Sequence, residues 1–397
     1  MANNNKHTGP NVPALRFPEF SGEWKTFQLS DLAAYSKERV KMEILSSNNY
    51  VSTENMQQDF AGIKDAISLP SSGSAVEFQV GDILISNIRP YLKKIWLSDR
   101  NGGCSTDVLA LRTKNEKVDS SFLYCCLAND DFVSYVMSGA KGVKMPRGDK
   151  QHIMSYNLGV PSVQEQRRIA ELVSLLEKRI SAQSKIIEEL TALRSALHQG
   201  IMSTGLEDGS WRMQTLAEVL SERTELNNEG HAVHSVSVSK GIVNQIEYLG
   251  RSFAAKDTSR YHVAYPGDVV YTKSPTGEFP YGIVKQSQIP IKAALSPLYG
   301  VYVPITQEIG YIIHNHFLSA KNALNYLHPL IQKGAKNTIN ITNQRFLQNS
   351  MPLPSSNSVA RLYFKTIKTL SDKIELEISI LHQLQIQKRK LLNDMFI

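Results

Sequence analysis

Basic and aromatic side chains are concentrated in two short stretches of the first half of the chain. Residues 87–94 carry Arg89, Tyr91 and Lys93 directly after a predicted strand. Residues 141–150 are punctuated by glycine and contain four cations, namely Lys141, Lys144, Arg147 and Lys150. Lysine and arginine neutralise phosphates, and both pair with the edge of guanine. These residue types therefore favour binding to a nucleic acid rather than catalysis.

Two stretches at matching places in the second half have a similar character. Residues 273–281 include Lys273 and Tyr281, and residues 333–345 include Lys336, Asn337, Asn340 and Asn343. Asparagine side chains suit the edge of adenine. Any one of these loops could be an ordinary solvated loop, but their recurrence in both halves favours a role in binding.

The sequence lacks the usual motifs of catalysis. It contains neither a phosphate-binding Gly-Lys-Ser/Thr loop nor a Gly-x-Gly-x-x-Gly turn. Residues 296–299 depart from the Asp/Asn-Pro-Pro-Tyr loop of base methyltransferases, residues 314–316 fall on a predicted apolar helix, and His231 and His234 lack ligand partners at suitable spacing. We therefore predict no catalytic residue and no metal site, and interpret His231 and His234 as surface residues.

The loops lie in a chain that repeats itself. Residues 22–32 match residues 209–219 at a shift of 187, and residues 80–86 match residues 266–272 at a shift of 186. Further matches relate residues 139–141 to 334–336 and residues 160–162 to 353–355. The repeat predicts an internal duplication of a mixed α+β domain that is followed by a long helix.

Two stretches share the repeat of a coiled-coil seam. Its positions in the first stretch are Ile169, Val173, Leu176, Ile180, Gln183, Ile187, Leu190, Arg194, Leu197 and Ile201. The same pattern, 194 residues later, selects Tyr363, Ile367, Leu370, Ile374, Glu377, Leu381, Leu384, Lys388, Leu391 and Met395. The alternative, that each stripe packs only on its own globular domain, is disfavoured by the shared polar positions.

The polar positions predict how the two helices pair. The second domain begins just after the first helix and ends just before the second, so the two helices should run antiparallel. Unpaired charges in an apolar seam are costly. We therefore predict a register that sets Arg194 against Glu377 and Gln183 against Lys388.

The predicted fold class is α+β, with two duplicated globular domains separated by a long antiparallel two-helix coiled coil. The predicted boundaries are residues 1–161 for the first domain, 162–203 for the first helix, 204–355 for the second domain and 356–397 for the second helix. Residues 1–12 are expected to form a disordered leader.

Composition constrains the setting of the protein. The 397 residues carry a formal net charge of +7, with a pI near 9.1, which permits a polyanionic partner. Three cysteines without framework spacing indicate a reducing compartment. With no apolar run long enough to span a membrane, we expect a cytoplasmic protein that does not bind membranes.

Three motifs carry a resemblance to a known family. They are Phe17–Phe20 with Gly22–Trp24, the stretch Gly81–Tyr91, and Val160–Ile169 at the entry to the first helix. With them, the chain resembles the specificity subunit of type I restriction-modification enzymes. The resemblance implies two target-recognition domains, each reading one half of a split DNA sequence, and helices that dock methyltransferase subunits.

The same resemblance implies the partners and cofactors. Double-stranded DNA, two modification subunits and two restriction subunits are the implied partners. S-adenosylmethionine, ATP and Mg²⁺ are expected in those subunits, and no cofactor is expected in this chain. The second half departs from the pattern at Phe279, which stands where Arg89 would match. Two other functions remain open, a coiled-coil adaptor without DNA recognition and a DNA-modifying enzyme with a divergent active site.

Overall fold

The computed structural model describes residues 11–114, 116–251, 254–333 and 339–396. The chain divides into two compact units. Unit 1 comprises residues 1–184 and 379–397, and unit 2 comprises residues 185–378. Each unit therefore contains one globular domain and one part of each long helix. The predicted α+β class, with a duplicated domain and a long antiparallel helix pair, is confirmed.

Unit 1 combines short strands with short helices. Its strands are β1 (Lys25–Gln28), β2 (Ala33–Tyr35), β3 (Arg39–Lys41), β4 (Tyr50–Val51), β5 (Ser74–Phe78), β6 (Ile83–Ser86), β7 (Ile95–Leu97), β8 (Gly102–Cys104), β9 (Val108–Thr113) and β10 (Asn157–Val160). Its short helices are α1 (Leu29–Leu32), α2 (Ser120–Leu127), α3 (Asp130–Ser138) and α4 (Lys150–Met154), with 3-10 turns at Met42–Ile44 and Pro90–Leu92. The long helix α5 (Val163–Asp208) follows and continues into unit 2.

Unit 2 is built in the same way. Its strands are β11 (Trp211–Thr215), β12 (Leu220–Glu222), β13 (His234–Ser237), β14 (Gly241–Asn244), β15 (His262–Ala264), β16 (Val269–Tyr271), β17 (Val284–Gln286), β18 (Ala293–Leu295), β19 (Gly300–Pro304), β20 (Gln332–Lys333), β21 (Ile339–Asn340) and β22 (Ser350–Pro354). Its helices are α6 (Gln245–Leu249), α7 (Gln307–His316), α8 (Ala320–Leu327), α9 (Asn343–Phe346) and the long α10 (Asn357–Met395), with 3-10 turns at Leu216–Glu218 and His328–Leu330.

The same antiparallel four-stranded sheet occurs in both units. Its strand order is β2-β9-β6-β7 in unit 1 and β12-β19-β16-β17 in unit 2. The buried strands β6 and β16 each follow a turn in which Gly81 or Gly267 has a left-handed φ, +87° or +90°. The next residue, Asp82 or Asp268, forms an ion pair with an arginine at 2.9 or 2.7 Å. The repeat predicted from sequence is thus a repeat of structure.

Each unit has a main hydrophobic core that includes part of the long helices. In unit 1, Trp24 packs in the same cluster as Ile169 of α5. In unit 2 the equivalent tryptophan, Trp211, packs with Tyr363 and Ile367 of α10. The apolar stripe of each long helix therefore packs both against the other helix and against the adjoining domain. Both interpretations of the stripe, the coiled-coil seam and the domain contact, thus apply.

The first long helix extends further than predicted. It runs to Asp208, five residues beyond the predicted end at residue 203, and passes through Gly200 and Gly205. A Cβ at Gly205 would lie 2.1 Å from the ring of Trp211. Packing on the tryptophan thus requires a glycine at this position. Gly209, the first residue after the helix, has a φ of +78°.

The two long helices are antiparallel within each unit, but their register differs from the prediction. In unit 1, Nζ of Lys388 donates to Oε1 of Glu177 at 2.6 Å. In unit 2, Nη1 of Arg194 donates to Oγ of Ser371 at 3.4 Å. Both partners lie six positions from those predicted, since 183 − 177 and 377 − 371 both equal 6.

The register differs because charged residues beside the seam form ion pairs with the charged residues within it. Glu177 lies outside the predicted stripe and pairs with Lys388. Glu377 receives an ion pair from Lys373, one turn earlier on the same helix. The predicted pairs of Arg194 with Glu377 and of Gln183 with Lys388 are therefore not required to neutralise the seam.

The predicted leader is only partly described. Residues 1–10 lie outside the described residues. Asn11 belongs to the folded part, because its carbonyl accepts a hydrogen bond from the N–H of Trp24 at 2.7 Å and its side-chain amide donates to the carbonyl of Trp24 at 2.8 Å. Among the described helices, none combines the length and the apolar character needed to cross a membrane.

Candidate nucleic-acid interface

The two basic loops of unit 1 are joined through their backbones. The N–H of Arg89 donates to the carbonyl of Pro146 at 2.8 Å, and Ile88 forms an isolated β-bridge with Arg147. Lys141 and Arg147 exchange two backbone hydrogen bonds of 2.9 Å, which close the second loop into a narrow hairpin. The sequence predicted two basic loops, and the structure brings them together as one surface, here called the paired loops (residues 87–94 and 141–150).

The paired loops contain an uncommon backbone conformation. Among the described residues, four that are not glycine have a positive φ: Asp59 (55°), Phe60 (60°), Arg89 (50°) and Lys93 (55°). They are neighbours, since the N–H groups of Asp59 and Phe60 donate to the carbonyls of Leu92 and Lys93 at 3.2 and 2.9 Å. Backbone strain of this kind costs about 1–3 kcal/mol per residue and clusters at functional sites.

The loop at residues 59–60 was not predicted from sequence. Neither Asp59 nor Phe60 belongs to a glycine-rich or basic motif, and their role depends on contacts with residues more than 30 positions later. Only the three-dimensional structure places this loop against the paired loops.

Three predicted side chains are available for a ligand. The guanidinium of Arg89 and the ammonium of Lys144 are exposed and have no ion-pair or hydrogen-bond partner in the described part of the chain. Tyr91 is 48% exposed, although it lies in a 3-10 turn whose first residue, Pro90, is buried. Two free cations beside an exposed ring can contact phosphates and bases at the same time.

Three other predicted cations of the paired loops already have ion-pair partners. Lys93 pairs with Asp130 at 2.7 Å and Arg147 with Asp107 at 3.1 Å. Lys141 pairs with Asp149 at 2.7 Å, and this hydrogen bond lowers the pKa of Asp149 to about 2. Exposed ion pairs contribute little stability, so the cations can exchange such a partner for a phosphate.

A cleft of about 180 Å³ adjoins the paired loops. Its lining includes Tyr35, Arg39, Thr106 and Lys150. Nζ of Lys150 lies 5.9 Å from the centre of the Tyr35 ring. Lys150, one of the predicted DNA-binding residues, therefore lies at a concave surface. Arg39 was not predicted, although Lys37, Glu38 and Lys41 close to it are also charged.

The matching loop of unit 2 differs in chemistry. Lys273 and Tyr281 flank a turn in which Thr276 and Phe279 exchange backbone hydrogen bonds of 3.0 Å. Phe279, which corresponds to Arg89, is 7% exposed and packs in the core. Burial lowers the pKa of Lys273. Because the buried Phe279 stands where unit 1 has the exposed Arg89, this loop presents less positive charge than its counterpart in unit 1.

The last predicted group of unit 2 is only partly described. Nδ2 of Asn343 donates to Glu222 at 2.5 Å, so this amide is engaged within the domain. Lys336 and Asn337 lie outside the described residues, and Asn340 is described only as a backbone position in β21.

Four histidines, His231, His234, His314 and His316, were weighed in the sequence as candidates for a catalytic or metal centre. In the described part of the chain, no group of three or more His, Cys, Asp or Glu side chains could hold a metal. His314 and His316 lie on α7, which packs in the core of unit 2, as predicted. The prediction for His234 was wrong: this residue is 5% exposed, and its Nδ1 lies 2.9 Å from the carbonyl oxygen of Ala232.

Comparison with known proteins identifies the domain that holds the paired loops. Residues 21–192 match the family model described as the type I restriction modification DNA specificity domain. The match covers this part of the chain, which includes the first globular domain and the beginning of α5. The resemblance found in the sequence is thereby confirmed for the specificity domain.

Two curated relatives are similar to part of this chain. The specificity subunit of the type I restriction enzyme EcoDI from Escherichia coli is 25% identical over 35% of this chain and 31% of its own length. The MjaVIII specificity subunit from Methanocaldococcus jannaschii is 24% identical over 52% of this chain and 47% of its own length. The chain thus matches less than half the length of these two relatives.

The fold of the whole chain is similar to that of a solved subunit. The type I restriction-modification S subunit from M. genitalium superposes with a TM-score of 0.61 at 15% identity, covering 97% of this chain and 99% of that one. At this level of identity the similarity concerns the fold alone.

Proposed function

We propose that this chain binds double-stranded DNA sequence-specifically, as the specificity subunit of a type I restriction-modification complex. In this role the protein has no catalytic activity of its own. Each globular domain contacts one half of a split target, and the long helices dock the modification subunits.

The observation that carries the proposal is the set of paired loops within the matched specificity domain. Their backbones are hydrogen-bonded to each other, and Arg89 is held in a left-handed conformation with a free, exposed guanidinium. A backbone fixed in this way loses little further conformational entropy on binding. Arginine makes bidentate hydrogen bonds with guanine in the major groove. Tyr91 and Lys144 extend the same surface toward bases and phosphates.

The two domains use different chemistry for their half-sites. Unit 1 presents Arg89, whereas unit 2 buries Phe279 at the matching position. In unit 2, the residues that contact DNA are Lys273, Tyr281 and those of the segment around residues 333–345. The half-sites are therefore expected to differ in sequence, with a guanine in the half-site that unit 1 reads.

The proposal includes the partners and cofactors of the complex. Two modification subunits supply S-adenosylmethionine, and two restriction subunits supply ATP hydrolysis with Mg²⁺. This chain binds none of these cofactors and works in the cytoplasm. Support for this part comes from the family resemblance and from the specificity domain in residues 21–192.

In vitro selection from a pool of random duplexes tests the proposal. The full chain, assembled with its modification subunit, is incubated with the pool at about 150 mM salt, and bound duplexes are sequenced. Enriched duplexes should share two short sequence blocks at one constant spacing. Enrichment without a consensus sequence, or none at all, contradicts sequence-specific recognition. Retention of the modification subunit without DNA selectivity would favour the adaptor function.

A further inference from the structure

The second of the paired loops ends in a tip that carries two exposed apolar side chains. Val143 is fully exposed and Met145 is 49% exposed, and Lys144 between them is exposed as well. Turns are ordinarily dominated by glycine, proline, asparagine, aspartate and serine. Single apolar side chains on a surface are common, but two of them within three residues form a concentrated apolar contact with water. These residues, 143–145, are here called the hairpin tip.

The backbone that carries the hairpin tip is fixed. Lys141 and Arg147 close the hairpin with two backbone hydrogen bonds of 2.9 Å. Gly142 has a φ of +94°, and a Cβ at this position would lie 3.3 Å from the carbonyl oxygen of Met145 across the loop. At the other end of the tip, Pro146 is buried, and its ring restricts the backbone. The apolar side chains therefore project from a loop that is ordered before any ligand binds.

Positive charge accompanies the hairpin tip. Lys144 lies within it and has no ion-pair or hydrogen-bond partner among the residues that the structure describes. The free guanidinium of Arg89 belongs to the loop that is hydrogen-bonded to the hairpin. The carboxylates at the base of the hairpin, Asp107 and Asp149, already pair with its two terminal cations. An apolar tip of this kind complements a polyanion that also presents apolar groups.

DNA fits this combination better than a protein partner does. Lysine is depleted at the centre of protein–protein interfaces, whereas phosphates line both sides of each groove of DNA. The major groove is about 12 Å wide and admits a two-stranded ribbon. Thymine presents its C5 methyl group in this groove, where apolar side chains contact it. Guanine, the base proposed for Arg89, is read from the same groove.

We propose that Val143 and Met145 contact the methyl groups of thymines in the major groove of the half-site that unit 1 reads. Lys144, which lies between them, contacts an adjacent phosphate. This inference rests on the proposed DNA binding, and it adds thymine to the guanine that Arg89 reads. Because the hairpin is ordered in advance, covering its tip costs little further conformational entropy. The apolar contact therefore increases affinity as well as specificity.

Replacement of thymine by deoxyuridine tests the proposal without any change in the protein. Once selection has defined the target, each thymine in it is replaced in turn, which removes one methyl group and keeps the base pair. The full chain, assembled with its modification subunit, is titrated with each duplex at constant salt, and fluorescence anisotropy measures binding. We expect the affinity to fall about fourfold at one or two thymines of one half-site, as for the loss of one buried methyl group.

Substitutions in the hairpin tip identify the side chains that contact these methyl groups. The double variant Val143→Ala with Met145→Ala should bind the thymine and deoxyuridine duplexes with equal affinity. The conservative pair Val143→Ile with Met145→Leu keeps the apolar contact and should preserve the difference. Leu175→Ala removes an exposed apolar side chain from α5 and is the matched control, in which the difference should persist. All these positions are exposed, so the melting temperature should not change.

Three results would overturn the inference. The first is a target in which no thymine is sensitive to the loss of its methyl group. The second is a sensitivity that is undiminished in the double alanine variant. The third is a double alanine variant that keeps this sensitivity but no longer co-elutes with the modification subunit, because the tip would then bind protein.

Failure of this inference is distinguishable from failure of the proposed function. A selection that yields no consensus sequence contradicts sequence-specific DNA binding itself. A two-part target whose thymine methyl groups have no effect on affinity contradicts the role of Val143 and Met145 alone, and leaves DNA binding through Arg89 and Lys144 as proposed.

Discussion

The N–H of Arg89 donates a hydrogen bond to the carbonyl of Pro146 at 2.8 Å and thereby fixes one basic loop against the other. The φ of Arg89 is 50°, in the left-handed region. A residue with a β-carbon keeps this unfavourable conformation only where the contacts around it enforce it. The arrangement suggests that the direction of the Arg89 side chain matters more than local stability.

Substitution of Arg89 separates these two effects. Arg89→Gly relieves the left-handed backbone and should leave stability unchanged or raise it by about 1 kcal/mol, while weakening DNA binding. Arg89→Ala keeps the strain and should weaken DNA binding without any gain in stability. Chemical denaturation and fluorescence anisotropy measure the two quantities. Equal DNA affinity for all three proteins would mean that Arg89 does not contact DNA.

Charge reversal at Lys141, Lys144 and Arg147 should weaken DNA binding and reduce its dependence on salt. Each lost phosphate contact lowers the slope of log affinity against log salt by about one unit. Lys144 alone should have the largest single effect, because Lys141 and Arg147 already pair with aspartates. Lys178→Glu, on the exposed face of α5, is the control. An unchanged slope would show that these cations do not contact phosphates.

Glu177→Gln should destabilise unit 1. It leaves the ammonium of Lys388, whose side chain is 17% exposed, without its negative partner. We expect a loss of about 1–2 kcal/mol in the free energy of unfolding, measured by urea denaturation. Glu188→Gln, at an exposed position of the same helix, should have little effect. If the two variants behave alike, the ion pair does not contribute to the helix pairing.

Acidic pH should destabilise unit 2 through its buried histidines. Burial lowers the pKa of His198 to about 3 and that of His316 to about 4, from an ordinary value of 6.5. The unfolded state then binds protons that the folded state does not, so this contribution is complete above pH 6.5 and is lost as the pH falls toward 4. The slope is about 1.4 kcal/mol per pH unit for each histidine.

Denaturation at pH 7.5, 6.5 and 5.5 measures this dependence. His316→Asn should make the profile less steep, since one proton-binding group of the unfolded state is removed. His382→Asn, at an exposed position of α10, is the matched control and should leave the slope as it is. A stability that does not change between pH 6.5 and 5.5 would contradict the prediction.

The features that could be predicted from the sequence are those that depend on the spacing of nearby residues. The apolar stripe identified both long helices, and the glycine and aspartate of the turns at Gly81 and Gly267 identified the repeated strands. Such patterns depend on residues only a few positions apart. Features that depend on distant residues were missed. One such feature is the close packing of Gly205, within α5, against Trp211. Another is the ion pair of Lys388 with Glu177, which lies beside the apolar stripe.

In the candidate site, too, local patterns were predicted and contacts between distant residues were not. Its residue types were predicted, because basic and glycine-rich loops are visible in the sequence. Their joining through Arg89 and Pro146, and the contribution of Asp59 and Phe60, depend on backbone contacts between separate loops. The burial of Phe279 could not be derived from the repeat, which gave only its alignment with Arg89.

Mapping of methylated bases in genomic DNA shows whether this chain directs methylation to a two-part target. Cells with and without this gene are compared, together with cells in which residues 17–161 are exchanged for those of a relative. We expect methylation at a two-part target that disappears with the gene, and we expect the exchange to alter one part of the target while the other part remains. Methylation that persists without the gene, or an exchange that changes both parts or neither, would contradict it.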